Sequence, residues 1–250
     1  MKKVRLTIIA CIIGFIAMAQ EDYTRSLNGI QWVKIESNAN MKIRTHSKNE
    51  LLIKANEPYR IPEKAKGLKL VGEGGTDNTD VGFSVLQEGN NLIVKNLQKS
   101  EEAEIYLPAS QNISVKSKWS GSIYIAGFSG EVEASALLNG GIEIEDVSGP
   151  LTANSLNGGI EVSFNTVSQS APSSISSTNG ELDINLPANT PANLTLGTVN
   201  GEIYTNFELS VPDKNGLRAV VSRKVKGAIN NGGVKIQLST TNGNIYLRKQ

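Results

Sequence analysis

Three carboxylates recur at matching places in a repeated stretch of this chain. Glu143, Glu161 and Asp183 each follow an aliphatic residue in the pattern Asn-Gly-x-(Ile/Leu)-acid. If the repeats stack as neighbouring strands, the acids form one outward column at a spacing of about 4.8 Å. Hard oxygens so arranged can hold a ladder of cations, and Ca²⁺ is the ion that suits them. A carboxylate pair at about 5 Å is also the spacing of retaining glycoside hydrolysis. A solvated acidic face with splayed side chains uses the same residues. A flat column offers no pocket to raise one carboxyl pKa, as acid catalysis requires. The expectation is therefore no catalytic residue and no enzyme, with Glu143, Glu161 and Asp183 as a candidate cation ladder and Ca²⁺ as the one cofactor to consider.

Tyr124, Tyr204 and Tyr246 take the acid's place in "SIYI", "EIYT" and "NIYL". Outward tyrosines on a flat sheet can stack on a sugar or grip a partner protein, and they can also simply cover neighbouring coils. They are the candidate partner-binding residues.

Other chemistry is excluded by composition. His46 is the only histidine and Cys11 the only cysteine. Ser-His-Asp, Cys-His and histidine-based zinc sites lack their parts. The Gly-rich loop at 72–82 lacks the following helix and the Lys-Ser/Thr pair of a phosphate cradle. Within it, Asp77-Asn78-Thr79-Asp80 clusters oxygens without the spacing of a calcium loop, and reads as a surface turn.

The elements that must position these residues are visible in the repeat itself. "LNGGIE" occurs at 138–143 and again at 156–161. Turn pairs stand at Ser120-Gly121, Ser129-Gly130, Asn139-Gly140, Ser148-Gly149 and Asn157-Gly158. Asn-Gly and Ser-Gly supply the φ > 0 of a tight reversal. A meander would turn every 9 residues or so with no reason for alternate turns to match. A flattened solenoid with two strands and two turns per coil does have one, because residues one coil apart stack directly. The verbatim repeat falls at the coil length, and the solenoid is favoured.

Further markers at Asn179-Gly180, Asn200-Gly201 and Asn242-Gly243 extend the pattern. The last interval is double, so two coils are expected between 200 and 242, one carrying an insertion near 211–227. The inward ladder is then Ile123, Ile142, Ile160, Leu182, Ile203 and Ile245, in that order. A longer echo pairs "EIYLPAS" (104–110) with "DINLPAN" (183–189). Residues 28–118 are strand-rich but less regular than the coils of 119–250. No helix is expected after the leader, and residues 20–250 read as one domain.

Lys2, Lys3 and Arg5 precede an apolar run that ends at Ala17-Met18-Ala19. This is the pattern of a cleaved secretory signal over residues 1–19, too short for a comfortable transmembrane helix. A rival reading lipidates Cys11 after Ile8-Ile9-Ala10, although the apolar run continues past it. Without Cys11 the chain has no disulfide or thiolate chemistry. Its charge is near balance, with the acids concentrated between 71 and 170. Nucleic acid is a poor partner for such a chain.

The strands "NGGIEI", "NGGIEV", "NGELDI" and "NGEIYT", with the closing "KGAINNGGVKIQLSTTNGNIYLRK", resemble the bacterial putative-adhesin domains, exported β-solenoids akin to the head-GIN-type adhesin domains. The resemblance covers roughly residues 28–250. It implies a right-handed β-helix-like solenoid with coils of about 18–22 residues, and a place in the periplasm, on the outer-membrane surface or outside the cell. It supplies no catalytic residues. The combined expectation is a non-enzymatic adhesin that presents a rigid face to a glycan or an envelope protein. A carbohydrate-active β-helix enzyme and an envelope spacer that assembles through an open end are the alternatives.

Overall fold

The computed structural model describes residues 22–55, 63–73, 75–98, 102–210 and 224–250. The proposed signal and Cys11 lie outside these residues. Apart from one 3₁₀ turn at Glu63–Ala65, every regular element described is a strand. The first eight are β1 (Tyr23–Ser26), β2 (Trp32–Ser37), β3 (Met41–His46), β4 (Glu50–Ile53), β5 (Val71–Gly72), β6 (Gly75–Thr76), β7 (Phe83–Glu88) and β8 (Asn91–Asn96). Then come β9 (Ala103–Pro108), β10 (Asn112–Ser117), β11 (Ile123–Ala126), β12 (Val132–Asn139), β13 (Ile142–Val147), β14 (Leu151–Asn157) and β15 (Ile160–Phe164). The last are β16 (Ser173–Asn179), β17 (Leu182–Leu186), β18 (Ala192–Asn200), β19 (Ile203–Thr205), β20 (Lys224–Ile229), β21 (Val234–Asn242) and β22 (Ile245–Lys249).

From β8 to β19 successive strands alternate between two ten-stranded sheets, while β3–β4, β7–β8 and β20–β21 each share one sheet and β5–β6 form a separate two-stranded ribbon. The first sheet runs β1-β4-β9-β3-β11-β13-β15-β17-β22-β19, and the second β20-β18-β21-β16-β14-β12-β10-β2-β8-β7. Pairing is parallel through the body and antiparallel towards the ends, where β4 pairs β9, β7 pairs β8 and β20 pairs β18. This is the expected all-β flattened solenoid, with one strand of each coil in each sheet. Alternating side chains point into the space between the sheets, where Ile142, Ile144, Ile160, Val162, Leu182 and Ile184 are almost wholly buried. Each such side chain contributes roughly 1.5–3 kcal/mol, so the stack needs no covalent staple.

Spatial order departs from chain order at both ends. The β2–β3 coil lies between β8–β9 and β10–β11, so Val33 pairs with both Ile113 and Leu92. The β21–β22 coil lies between β16–β17 and β18–β19, so Asn242 pairs with both Asn179 and Asn200. The interval from 200 to 242 is therefore not two further coils. It is an excursion that returns the chain one layer inward, and the inward ladder reads Leu182, Ile245, Ile203. Of the proposed insertion, residues 211–223 lie outside the described part, and Lys224–Ile229 is the antiparallel strand β20.

The echo in the sequence marks both displacements. The Leu-Pro-Ala turns after β9 and β17 are closed alike, by Gln111 N–H to Pro108 O and Thr190 N–H to Pro187 O, each at 3.0 Å. From each turn the chain climbs two layers and leaves a slot that the terminal coil fills.

Gly140 and Gly243 have the positive φ expected of the turn pairs, but most of the other turn glycines have a different role. Gly158 and Gly180 do not have positive φ. A Cβ on Gly158 would lie 2.2 Å from the carbonyl oxygen of Gly140, and one on Gly180 2.2 Å from that of Gly158. Close approach between layers, rather than reversal, excludes a side chain there. Beside them runs an amide ladder: Asn179 donates to Asn157 at 2.7 Å, Asn242 to Asn179 at 2.6 Å and Asn200 to Asn242 at 2.7 Å.

Candidate functional site

Period-two alternation puts every second residue of the first sheet on its outer face. The register then fixes one column across seven strands: Lys42, Tyr124, Glu143, Glu161, Asp183, Tyr246 and Tyr204. The candidate acids and tyrosines all stand in this column, with Tyr246 ahead of Tyr204.

Near one end, Lys42, Tyr124, Glu143 and Glu161 line a shallow open depression of about 400 Å³. The Tyr124 hydroxyl donates to Glu145 at 2.5 Å, and Arg44 lies 5.4 Å from the Tyr124 ring centroid. That bond to a carboxylate, with some burial, holds the Tyr124 hydroxyl above the usual phenol pKa. Partial burial and the charges of Glu145 and Glu161 push the Glu143 carboxyl up. Lys42 is turned to Glu102 at 2.8 Å.

Towards the other end, Tyr204 and Tyr246 stack face to face, with centroids 5.4 Å apart and planes 10° from parallel. Arg248 lies 5.3 Å from the Tyr246 centroid and makes a bidentate pair with Asp183 at 2.7 and 2.9 Å. Asp183 is thus joined to a cation supplied by the chain itself. Among the described residues, no three carboxylate or histidine side chains converge on a point where a metal ion could sit. Glu143 and Glu161 remain as neighbours in the column.

The remaining polar candidates have structural partners. His46 Nε2 lies 2.8 Å from Glu50 O. Asp77 is buried, and its carboxylate accepts from the N–H groups of Thr79, Asp80 and Gly82 at 2.9–3.1 Å, which closes its own loop. Arg44, Glu145 and Arg248 are not among the site residues expected from sequence. The signal for each was present: they lie two residues from Lys42, Glu143 and Tyr246, on the same face of the same strand.

The arrangement is a flat band with a tyrosine–arginine platform at each end and acids between. Among the described residues, the connections beside β13, β15 and β17 run from two residues to the eight of 165–172. A family model, Toastrack DUF4097, matches residues 91–248, more than half of the chain. The chain belongs to the Toastrack DUF4097 family. The resemblance to the bacterial putative-adhesin domains drawn from the NGG-led strands is borne out. The Toastrack match begins at β8 and leaves out β2 and β3, although these lie within the stack.

Two solved structures are similar in fold. A putative cell adhesion protein from Clostridium sporogenes ATCC 15579 is 12% identical with a TM-score of 0.42, over 92% of this chain and 99% of that one. A putative adhesin from Bacteroides fragilis NCTC 9343 is 13% identical with a TM-score of 0.41, over 93% and 98%. No curated protein matches the chain.

Proposed function

We propose that this Toastrack protein is exported and acts by contact, as a non-enzymatic adhesin of the cell envelope or cell surface. The observation that carries the reading is the outer band of the first sheet. Tyr124 with Arg44 and the stacked Tyr204–Tyr246 pair with Arg248 stand at opposite ends of one rigid column. Side chains held by a packed sheet lose little freedom on binding, which favours recognition. Tyrosine faces suit the C–H face of a sugar or an apolar side chain of a partner protein. Glu143 and Glu161 between them suit an amine, or a Ca²⁺ ion shared with the partner. Export rests on the leader pattern of residues 1–19. The shallow, open depression that holds Glu143 and Glu161 favours contact over glycoside hydrolysis.

The test is a glycan array and an envelope-extract pull-down with the purified protein, with and without Ca²⁺. Tyr204→Ala/Tyr246→Ala should weaken capture, and Glu143→Gln/Glu161→Gln should remove any part that needs Ca²⁺. Turnover of a polysaccharide that stops in Glu143→Gln would replace contact by catalysis. No capture of any glycan or envelope protein would remove the contact reading.

A further inference from the structure

The opposite face of the solenoid carries a groove that the sequence motifs did not mark. It crosses β12, β14, β16, β21 and β18 on the outside of the second sheet and encloses about 610 Å³. Its floor is a column of small residues, Asn154, Ser176, Ser239 and Gly197, in direct register. Two residues further along each strand stands a taller row. In it Leu137, Leu156 and Val199 are 49%, 40% and 46% exposed, with Thr178 and Thr241 between. Small residues beside taller ones make the trough, and it runs along the stack because every layer repeats the step. Trp119, 60% exposed, lies beyond the Leu137 end, where its carbonyl accepts from Asn139 N–H at 2.7 Å.

We propose that this groove binds an uncharged linear polysaccharide lying along the stack axis. Charge selects the ligand class first. Apart from Lys224 at one end, every described lining residue is neutral, whereas Lys116 and Lys118 flank the Trp119 end of the face. A nucleic acid or an anionic polymer would find no row of cations along the trough, only Lys224 at its end.

Hydrogen bonding selects next. The floor offers hydroxyl and amide groups, and the wall is mostly methyl surface, from Leu137, Leu156 and Val199 and the methyl groups of Thr178 and Thr241. That is the cross-section of a pyranose chain, with hydroxyls at its edge and C–H groups on its face. An extended peptide would find no free ladder to join, because β14, β16 and β21 are paired on both sides. A lipid or amphipathic helix needs a broad apolar surface, and this wall is one residue wide.

Length agrees as well. Strands are spaced by about 4.8 Å, close to the length of one pyranose unit in an extended chain. Successive sugars can therefore meet equivalent layers over five strands. This groove stands apart from the tyrosine–acid band, which faces the other way, and the proposal does not depend on that band.

The test is affinity electrophoresis of the full chain through gels containing hydroxyethylcellulose, galactomannan, laminarin or dextran, with alginate as the charged control. Retardation by at least one uncharged polymer is expected. Ser239→Tyr, which fills the trough, should weaken it by at least about tenfold. Leu156→Ser/Val199→Ser, which lowers the wall without adding bulk, should do the same. Glu88→Ala, on β7 at the far end of the same sheet, should leave it unchanged, and retardation lost in Tyr204→Ala/Tyr246→Ala but kept in both groove variants would place the polymer on the tyrosine–acid band and overturn the proposal, so the two readings fail separately. Thermal unfolding confirms that each variant is folded. No retardation in any uncharged gel, retardation by alginate alone, or retardation indifferent to both groove variants would overturn the proposal. Dimerisation or vesicle binding that Leu156→Ser/Val199→Ser abolishes, without polysaccharide retardation, would assign the groove to a second copy or to a lipid surface and overturn it equally.

Discussion

Asn242 gives a direct measure of the order in which the coils are stacked. In the structure it is an inner rung of the amide ladder, donating to Asn179 at 2.6 Å and accepting from Asn200 at 2.7 Å. Asn242→Ala removes both bonds. A net intramolecular hydrogen bond is worth about 0.5–1.5 kcal/mol, so the loss is about 1–3 kcal/mol. For a chain of this size each kcal/mol shifts Tm by about 2–4 °C. Asn139 ends the ladder and accepts only one long bond, 3.3 Å, from Asn157. Asn139→Ala should therefore lose about 0.5 kcal/mol or less. The sharper assay is a set of double-mutant cycles by urea unfolding. Asn179–Asn242 and Asn200–Asn242 should each couple by about 0.5–1 kcal/mol, and Asn179–Asn200 by close to zero. If the coils followed chain order, Asn179 and Asn200 would be neighbours and Asn242 a remote end. Strong direct coupling of Asn179 to Asn200, with Asn242→Ala no worse than Asn139→Ala, would refute the inserted coil.

Other outcomes follow from the same geometry. Gly180→Ala places a Cβ 2.2 Å from the Gly158 carbonyl oxygen and should lower stability by about 2–3 kcal/mol in urea unfolding. Gly29→Ala meets no atom within 4 Å but adopts φ +78°, and should lower it by only about 1 kcal/mol. Burial and then Glu145 and Glu161 raise the folded-state pKa of Glu143, so its contribution to stability is fullest below the ordinary glutamate value of 4.5 and declines as pH rises through the folded value. Glu143→Gln should accordingly be the more stable protein at pH 7, and the gap should close when the unfolding series is repeated in acid. Removing residues 234–250 empties the slot between β16–β17 and β18–β19. The truncated chain should lose native hydrogen-exchange protection in β18 and β19 while β12–β15 keep theirs.

Where neighbours in sequence are neighbours in space, the sequence was legible. Ile142, Ile160 and Leu182 were assigned to one column because the coils between them are consecutive, and the register agrees. The acids and tyrosines followed from the period of two. Ile203 and Ile245 were put in the wrong order because the pairing of β22 with β17 is a contact across more than 60 residues. No local pattern in β17 announces which strand will lie beside it. The echo between 104–110 and 183–189 did carry that information, but only as a similarity between turns whose consequence is a skipped layer. The groove left no motif, because a trough is defined by what its floor lacks. Ser176, Ser239 and Gly197 carry no signal of chemistry until the register sets them side by side. Arg248 was not legible as a site residue, because its partner Asp183 is 65 residues away in sequence.

The inserted terminal coil also bears on how the molecule carries load. A tether at Gln250 pulls first on β22, which is hydrogen-bonded to β17 on one side and to β19 on the other. Its companion β21 is clamped in the same way between β16 and β18. Tension along these parallel strands must shear several backbone bonds at once on both flanks, instead of unzipping an edge one bond at a time. A solenoid wound in simple chain order would end on an outermost strand and peel from there. Filling an interior slot with the last coil turns the weakest place in such a stack into a grip, a useful property for any molecule held at one end and pulled at the other.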